Sequence, residues 1–272
     1  MHNRDTRMGV LIRMKTRREL KSEVKETFKG HWNQAIKLAI IPVIFQIITT
    51  IFAFTVVIVL SILIAKYSDS IAKGLSTTGT TGNFDHNNLL GNSVGGIISS
   101  MLLTGIGFTF LDWLRTKNAD FSALKGAFSV FTKRNFLGVL VLYILINIFI
   151  FFWSLLFIIP GIVKSFAYSQ TYFVYKDMSQ AENADDFNFL DYITKSRELM
   201  NGHKFEFFVL KLSFIGWDIL AILTLGIGYI WLTPYKLATY AAYYDSLAEG
   251  SDIPNNQQDK NTDDKRSVIV EY

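Results

Sequence analysis

The 272-residue sequence contains no cysteine. Disulfides, cysteine-ligated zinc, iron–sulfur clusters and thiol catalysis are therefore excluded. Proline is scarce, at four residues, and the apolar residues are concentrated in runs, which excludes a collagen-like or disordered chain. Charge is also thin: 18% of residues are Asp, Glu, Lys or Arg, against about 25% in soluble domains. In their place, 50% are hydrophobic and 15% aromatic. The charges stand in blocks, and the long uncharged runs between them set the class of protein.

The first block is basic. Residues 1–37 hold Arg4, Arg7, Arg13, Lys15, Arg17, Arg18, Lys21, Lys25, Lys29 and Lys37 against Asp5, Glu19, Glu23 and Glu26. Within it, Thr16-Arg-Arg-Glu19 has capping-box spacing, Leu20, Val24 and Phe28 fall four apart on one narrow stripe, and Gly30 is a natural stop. The segment runs straight into Leu38 to Ala65, which carries no charge. About 20 apolar residues cross a hydrocarbon core, so a membrane surface is a better partner for the basic block than nucleic acid. The expected contacts are an interfacial helix on the anionic inner leaflet, through Arg17, Arg18, Lys21, Lys25 and Lys29, with Trp32 at headgroup level. The apolar run is too long for a signal-peptide core.

Tyr67 to Asn92 is rich in Ser, Thr, Gly and Asn and reads as a loop. Beyond it, Gly95, Gly96, Ser99, Ser100 and Thr104 form a small-residue pattern suited to close helix packing in lipid. The region from Arg115 to Arg134 is basic, which places it on the cytoplasmic side. The next apolar run is broken by Pro160-Gly161, read as a hairpin turn, and the one after it by Gly226-Ile-Gly228. Between them, 187–201 reads as a surface helix closed by Gly202.

The expected fold is all-α: an integral membrane helical bundle of about six transmembrane helices in hairpins, with amphipathic interfacial helices. A basic cytoplasmic segment covers 1–37 and a polar cytoplasmic tail covers 248–272. The membrane domain is 38–247, with spans near 38–65, 94–114, 136–159, 162–175, 205–224 and 229–247. Cationic segments before the first span, between the second and third and between the fourth and fifth put both termini inside.

The hairpins repeat. Thr171-Tyr-Phe-Val-Tyr-Lys-Asp177 and Thr239-Tyr-Ala-Ala-Tyr-Tyr-Asp245 share T-Y-x-x-Y-x-D, and Lys29-Gly-His-Trp32 and Asn201-Gly-His-Lys204 each stand where a polar helix meets a span. Leu124-Lys-Gly126 is a weaker third copy of the junction, giving three units of polar helix plus membrane hairpin in one orientation.

Ser196-Arg-Glu-Leu-Met-Asn-Gly-His-Lys204, Leu212-Ser-Phe-Ile-Gly-Trp217, Leu225-Gly-Ile-Gly228 and Trp231-Leu-Thr-Pro-Tyr235, with Arg18-Glu-Leu20 near the start, resemble the domain-of-unknown-function 975 family of Gram-positive multi-pass membrane proteins. The resemblance runs from about Thr16 to Leu247 and is most specific in the final third. It implies a plasma-membrane location and no particular reaction.

Catalytic patterns are weak. Gly91-Asn-Ser-Val-Gly95 matches G-x-S-x-G but lacks the preceding strand that a nucleophile elbow needs. His2, His31, His86 and His203 show no paired ligand spacing, Gly226-Ile-Gly228 lacks a third glycine, and no Walker lysine occurs. No catalytic residue, metal or cofactor is expected. The remaining signals are charges inside or beside apolar runs: Asp112, Lys164, Lys211, Asp218 and Lys236. Lys164 and Lys211 can reach the surface by snorkelling. Asp218 is too short to do so, and Lys236, at similar depth across the last turn, is its expected intramembrane ion-pair partner.

The leading functional expectation is a non-enzymatic accessory or envelope-organising membrane protein, with a membrane-protein partner or a second copy as an associate. The alternative is a small-solute or ion transporter or channel, suggested by Asp218, Lys236 and the repeats. Against it stands the absence of helices unwound at Gly or Pro in mid-span.

Overall fold

The computed structural model describes residues 14–75, 86–181 and 187–249, with Ala184, Ser251 and Ile253. Every regular element among them is helical. Helix α1 (Arg17–Phe28) starts at Thr16, whose hydroxyl accepts from the Glu19 amide at 3.3 Å while the Glu19 carboxylate accepts from the Thr16 amide at 2.6 Å. Gly30, at φ +79°, turns the chain into α2 (Trp32–Leu75). The same device recurs at α8 (Phe189–Leu199), capped by Asn188 and Asp191 and followed by Gly202 at φ +83°. Side-chain caps satisfy free amides at the start, and glycine accepts the left-handed turn at the end.

Helix α2 runs well past the expected span, and α3 (His86–Thr116) begins before it. The loop expected over 67–92 is therefore helical at both ends, and its middle, 76–85, lies outside the described residues. The stretch is polar but has no proline, and extending an existing helix is far easier than nucleating one. Gly91 to Gly95 sits inside α3, with no strand-to-helix elbow.

After α4 (Ala123–Ala127) and a short 3-10 turn, α5 (Lys133–Leu156) and α6 (Ile158–Ala167) form the second hairpin. Its turn is at extended Phe157, not at Pro160-Gly161. Pro160 falls in the first turn of α6, where no intrahelical N–H bond is needed, and Gly161 lets α6 lie against Ser154. The expected span at 162–175 is a helix broken at Tyr168-Ser169-Gln170 and resumed as α7 (Thr171–Met178). The span expected at 205–224 is likewise broken, at Ser213-Phe214, into α9 (Lys204–Leu212) and α10 (Ile215–Leu223). The chain then enters α11 (Tyr229–Ala248), which packs on α1, α2 and α3.

Among the described residues, three helices are long and apolar enough to cross a membrane: Trp32–Lys66, Gly95–Thr116 and Asn135–Leu156. The core lies where α1, α3 and α11 pack together, around the fully buried Phe28, Phe110, Trp113, Phe214 and Tyr244. The stretch of α2 from Ile44 to Ile64, the far half of α5, the start of α6 and most of α10 expose apolar side chains: Phe52 is 69% exposed, Leu155 72% and Ile158 75%.

The expected lipid-facing stripe of α1 needs correcting. Leu20, Val24 and Phe28 are all buried in the protein core, with Phe28 stacked 5.0 Å from Trp113. The small-residue pattern of α3 also plays another part. A Cβ on Gly95 would meet nothing and one on Gly96 only the Tyr143 hydroxyl at 3.6 Å. The close approach is at Gly105, where a Cβ would come within 2.5 Å of the Ala127 carbonyl oxygen.

Candidate functional site at the converging repeat ends

One T-Y-x-x-Y-x-D motif makes up most of α7 and the other the C-terminal part of α11, and their aspartates meet at Arg115. Arg115, at the end of α3, donates through both terminal nitrogens to Asp177 at 2.7 and 2.8 Å and through Nε to Asp245 at 2.7 Å. The Tyr244 hydroxyl donates to Asp177 Oδ2 at 2.7 Å. The three charged side chains are 8%, 5% and 11% exposed. A planar guanidinium suits this task because its rigid fork can hold one carboxylate bidentately and still offer Nε to another.

Arg115 itself closes a third copy of the motif. Thr109-Phe-Leu-Asp-Trp-Leu-Arg115 repeats the threonine, both aromatic positions and the final charge, with that charge reversed. The copies behave alike. Thr109, Thr171 and Thr239 each donate back to a main-chain carbonyl one turn earlier, at 3.1, 2.8 and 2.7 Å. Their fifth-position aromatics are all buried and pack on neighbouring helices: Trp113 on Phe28, Tyr175 on Tyr192 and Tyr243 on Phe207. The seventh positions converge as one cation and two anions. Beside them, Lys176 pairs with Asp112.

The second charged pair lies across the last hairpin. Lys236 Nζ is 2.8 and 2.9 Å from the two oxygens of Asp218, each side chain about a quarter exposed. Lys164 Nζ lies 4.2 Å above the Trp153 ring and Lys211 Nζ 4.8 Å above that of Phe207.

On the basic segment, Arg17, Arg18, Lys21 and Lys25 share a cavity of about 590 Å³ with Ser213 and Tyr235. Lys21 donates to Ser213 Oγ at 2.8 Å and stands 4.1 Å above the Phe214 ring. Trp32 is half-buried, edge-on to Phe28 at 5.1 Å, and lines a neighbouring cleft with Lys21 and Lys25. Lys29 is exposed at the end of α1 and lines neither cavity. The structure thus gathers five of the six expected surface contacts on one side of α1 and leaves Lys29 apart.

A further cavity of about 460 Å³ opens at the helix breaks. It is lined by Ser169 and Gln170 from the α6–α7 break, Lys211 beside the α9–α10 break, and Ser99, Ser100 and Thr104 of α3. Gln170 is 1% exposed and its Oε1 has no hydrogen-bond partner among the described residues. The small residues of α3 therefore line space. His31 and His203 bond locally, to the Lys29 carbonyl and to Glu206. No group of three or more His, Asp or Glu among the described residues is placed to hold a metal ion.

No curated protein and no solved structure matches the chain. A family model described as "Protein of unknown function (DUF975)" matches residues 14–184 and 158–251. Those two stretches take in the capped start of α1, all three motif copies and the Asp218–Lys236 pair, and the chain belongs to the DUF975 family.

Proposed function

We propose that this protein is a multi-pass integral membrane protein of the plasma membrane, with six crossings and both termini cytoplasmic, acting as a non-enzymatic accessory or envelope-organising factor. The observation that carries the reading is the division of the surface. The apolar flanks of α2, α5, α6 and α10 are uncovered, while the charged ends of α3, α7 and α11 are locked into one another. An uncovered apolar belt of this extent is an aggregation hazard in water and an ordinary surface in lipid. On this reading α6 with α7, and α9 with α10, each make one crossing through a kinked helix, and Arg115, Asp177 and Asp245 all lie at the inner face. The sequence has no native cysteine, so single-cysteine probes test it directly. Ser122→Cys, next to α4, is expected to resist an impermeant thiol reagent on intact cells, and Ser76→Cys, outside the described residues, to react. The reverse pattern overturns the topology.

A second reading, a small-solute transporter, is favoured by the cavity at the two helix breaks. Breaks in membrane helices commonly mark binding sites, and Gln170 presents there an acceptor with no partner among the described residues. Solute uptake into proteoliposomes that is lost in Gln170→Leu would favour it over the accessory role.

A further inference from the structure

The cleft beside α1 is amphipathic along its length. At one end it joins the basic cavity through Lys21, Lys25 and Tyr235, with Arg17 and Arg18 just beyond. It then runs down the last hairpin, between Trp217 and Leu220 of α10, with Thr224 at its end, and Trp231 and Leu232 of α11, to Gly228. From Tyr235 to Gly228 is about 10 Å of helix at 1.5 Å per residue. The apolar part encloses about 440 Å³. Trp217 and Trp231 are 61% and 52% exposed, so the cleft is open along its side. No acidic residue is among the described residues lining either part.

Resting on the membrane reading above, we infer that this cleft is a binding site for one anionic glycerophospholipid. Its phosphate sits among Arg17, Arg18, Lys21 and Lys25, and an acyl chain lies between Trp217 and Trp231. Charge complementarity selects the occupant. Four cations at the mouth of an apolar, tryptophan-lined slot match a ligand with an anionic head and a hydrocarbon tail, and basic pockets at the inner ends of membrane helices suit such headgroups. A free phosphate ion would use the rim and leave the slot empty, and a partner helix would not call for cations at one end only. Burial and the neighbouring Arg17 and Lys25 push the Lys21 ammonium below its usual range, a cost that a bound anion relieves. Tryptophan at both walls suits the boundary between headgroup and chain.

The test uses the full chain in phosphatidylcholine nanodiscs doped with acyl-brominated lipid, which quenches nearby tryptophan. The fluorescence difference between the unaltered chain and Trp217→Phe/Trp231→Phe isolates the cleft. That signal is expected to be half-quenched at about one-tenth as much brominated phosphatidylglycerol as brominated phosphatidylcholine. Trp153, which lies outside the cleft, is expected to respond to both lipids alike, whereas Trp32, which lines it, is expected to follow the cleft signal. Arg17→Gln/Lys25→Gln, which removes two of the four cations at the mouth, should collapse the preference. Should that variant not fold, salt raised to about 0.5 M on the unaltered chain should collapse it instead. Equal quenching of the cleft by the two lipids, a preference that survives charge removal or salt, or its abolition by inorganic phosphate at constant ionic strength overturns the lipid site. Failure of either lipid to quench any tryptophan, Trp153 included, overturns the membrane reading itself.

Discussion

The two ends of this helical bundle are made from the same helices and obey different rules. Where α3, α7 and α11 converge beside α1 and α4, side chains are specified one by one: Arg115 has a partner on each side, Trp113 stacks on Phe28, and Gly105 sits against the Ala127 carbonyl with no room for a side chain. Along the middle of α2 and the α5–α6 turn, Phe52, Leu155 and Ile158 are largely uncovered by protein. The lesson is that in this chain close aromatic packing and ionic contacts at one end fix the arrangement of the hairpins, while the uncovered apolar area elsewhere does little to fix it. That fits a lipid environment, where burial of apolar groups gives helices little reason to associate and packing and polar contacts must supply it.

The largest effect should come from breaking the specified end at its centre. Arg115→Met leaves two carboxylates facing each other in a buried site, and removing one partner of such a network costs about 3–5 kcal/mol. Folded protein recovered by size exclusion after detergent extraction should be nearly lost. Recovery close to that of the unaltered chain would show that the cluster is incidental.

A smaller effect is expected at Asp218 and Lys236, which are more exposed than the Arg115 cluster. In a double-mutant cycle, Asp218→Ala and Lys236→Ala together should cost less than their separate costs added, with a coupling of about 0.5–3 kcal/mol. Additive thermal shifts would mean that the 2.8 Å contact contributes nothing.

Glycines on one helix sharpen the comparison further. Gly105→Ala drives a methyl group against a backbone carbonyl and should destabilise by about 1–3 kcal/mol. Gly95→Ala, in open space on the same helix, should be neutral or gain up to about 1 kcal/mol from helix propensity. The smallest effect belongs to the far half: Phe52→Leu and Ile158→Val should each shift detergent thermal stability by no more than about 0.5 kcal/mol. A large loss at either position would mean that this surface is covered by protein.

Much of the specified end was legible in the sequence because local rules write it there. Thr16 with Glu19, and the glycines at 30 and 202, mark helix ends by backbone chemistry that needs no tertiary context. The repeated aspartates 177 and 245 signalled that two hairpins end alike. Their common partner was hidden because the third motif copy carries Phe, Trp and Arg where the others carry Tyr, Tyr and Asp. Matching side-chain classes and not identities would have found it. The breaks at Tyr168-Ser169-Gln170 and Ser213-Phe214 carry no proline or glycine, so composition is silent about them. Hydroxyl groups bonding back to the main chain, from Ser169 to Phe166 and from Ser213 to Leu210, accompany these breaks. The stripe Leu20, Val24, Phe28 was visible as a stripe, but periodicity cannot say whether protein or lipid covers it.

The most direct test of the idea that the three hairpins are locked through one residue is a coupling measurement at that residue. Arg115→Met, Asp177→Leu and Asp245→Leu would be made singly, in pairs and together, with thermal stability read in the same detergent. The expected result is strong non-additivity, with the triple variant more stable than Arg115→Met alone, since removing all three charges leaves none unpaired in the buried site. Three additive losses would contradict it, because side chains that share one guanidinium cannot contribute independently.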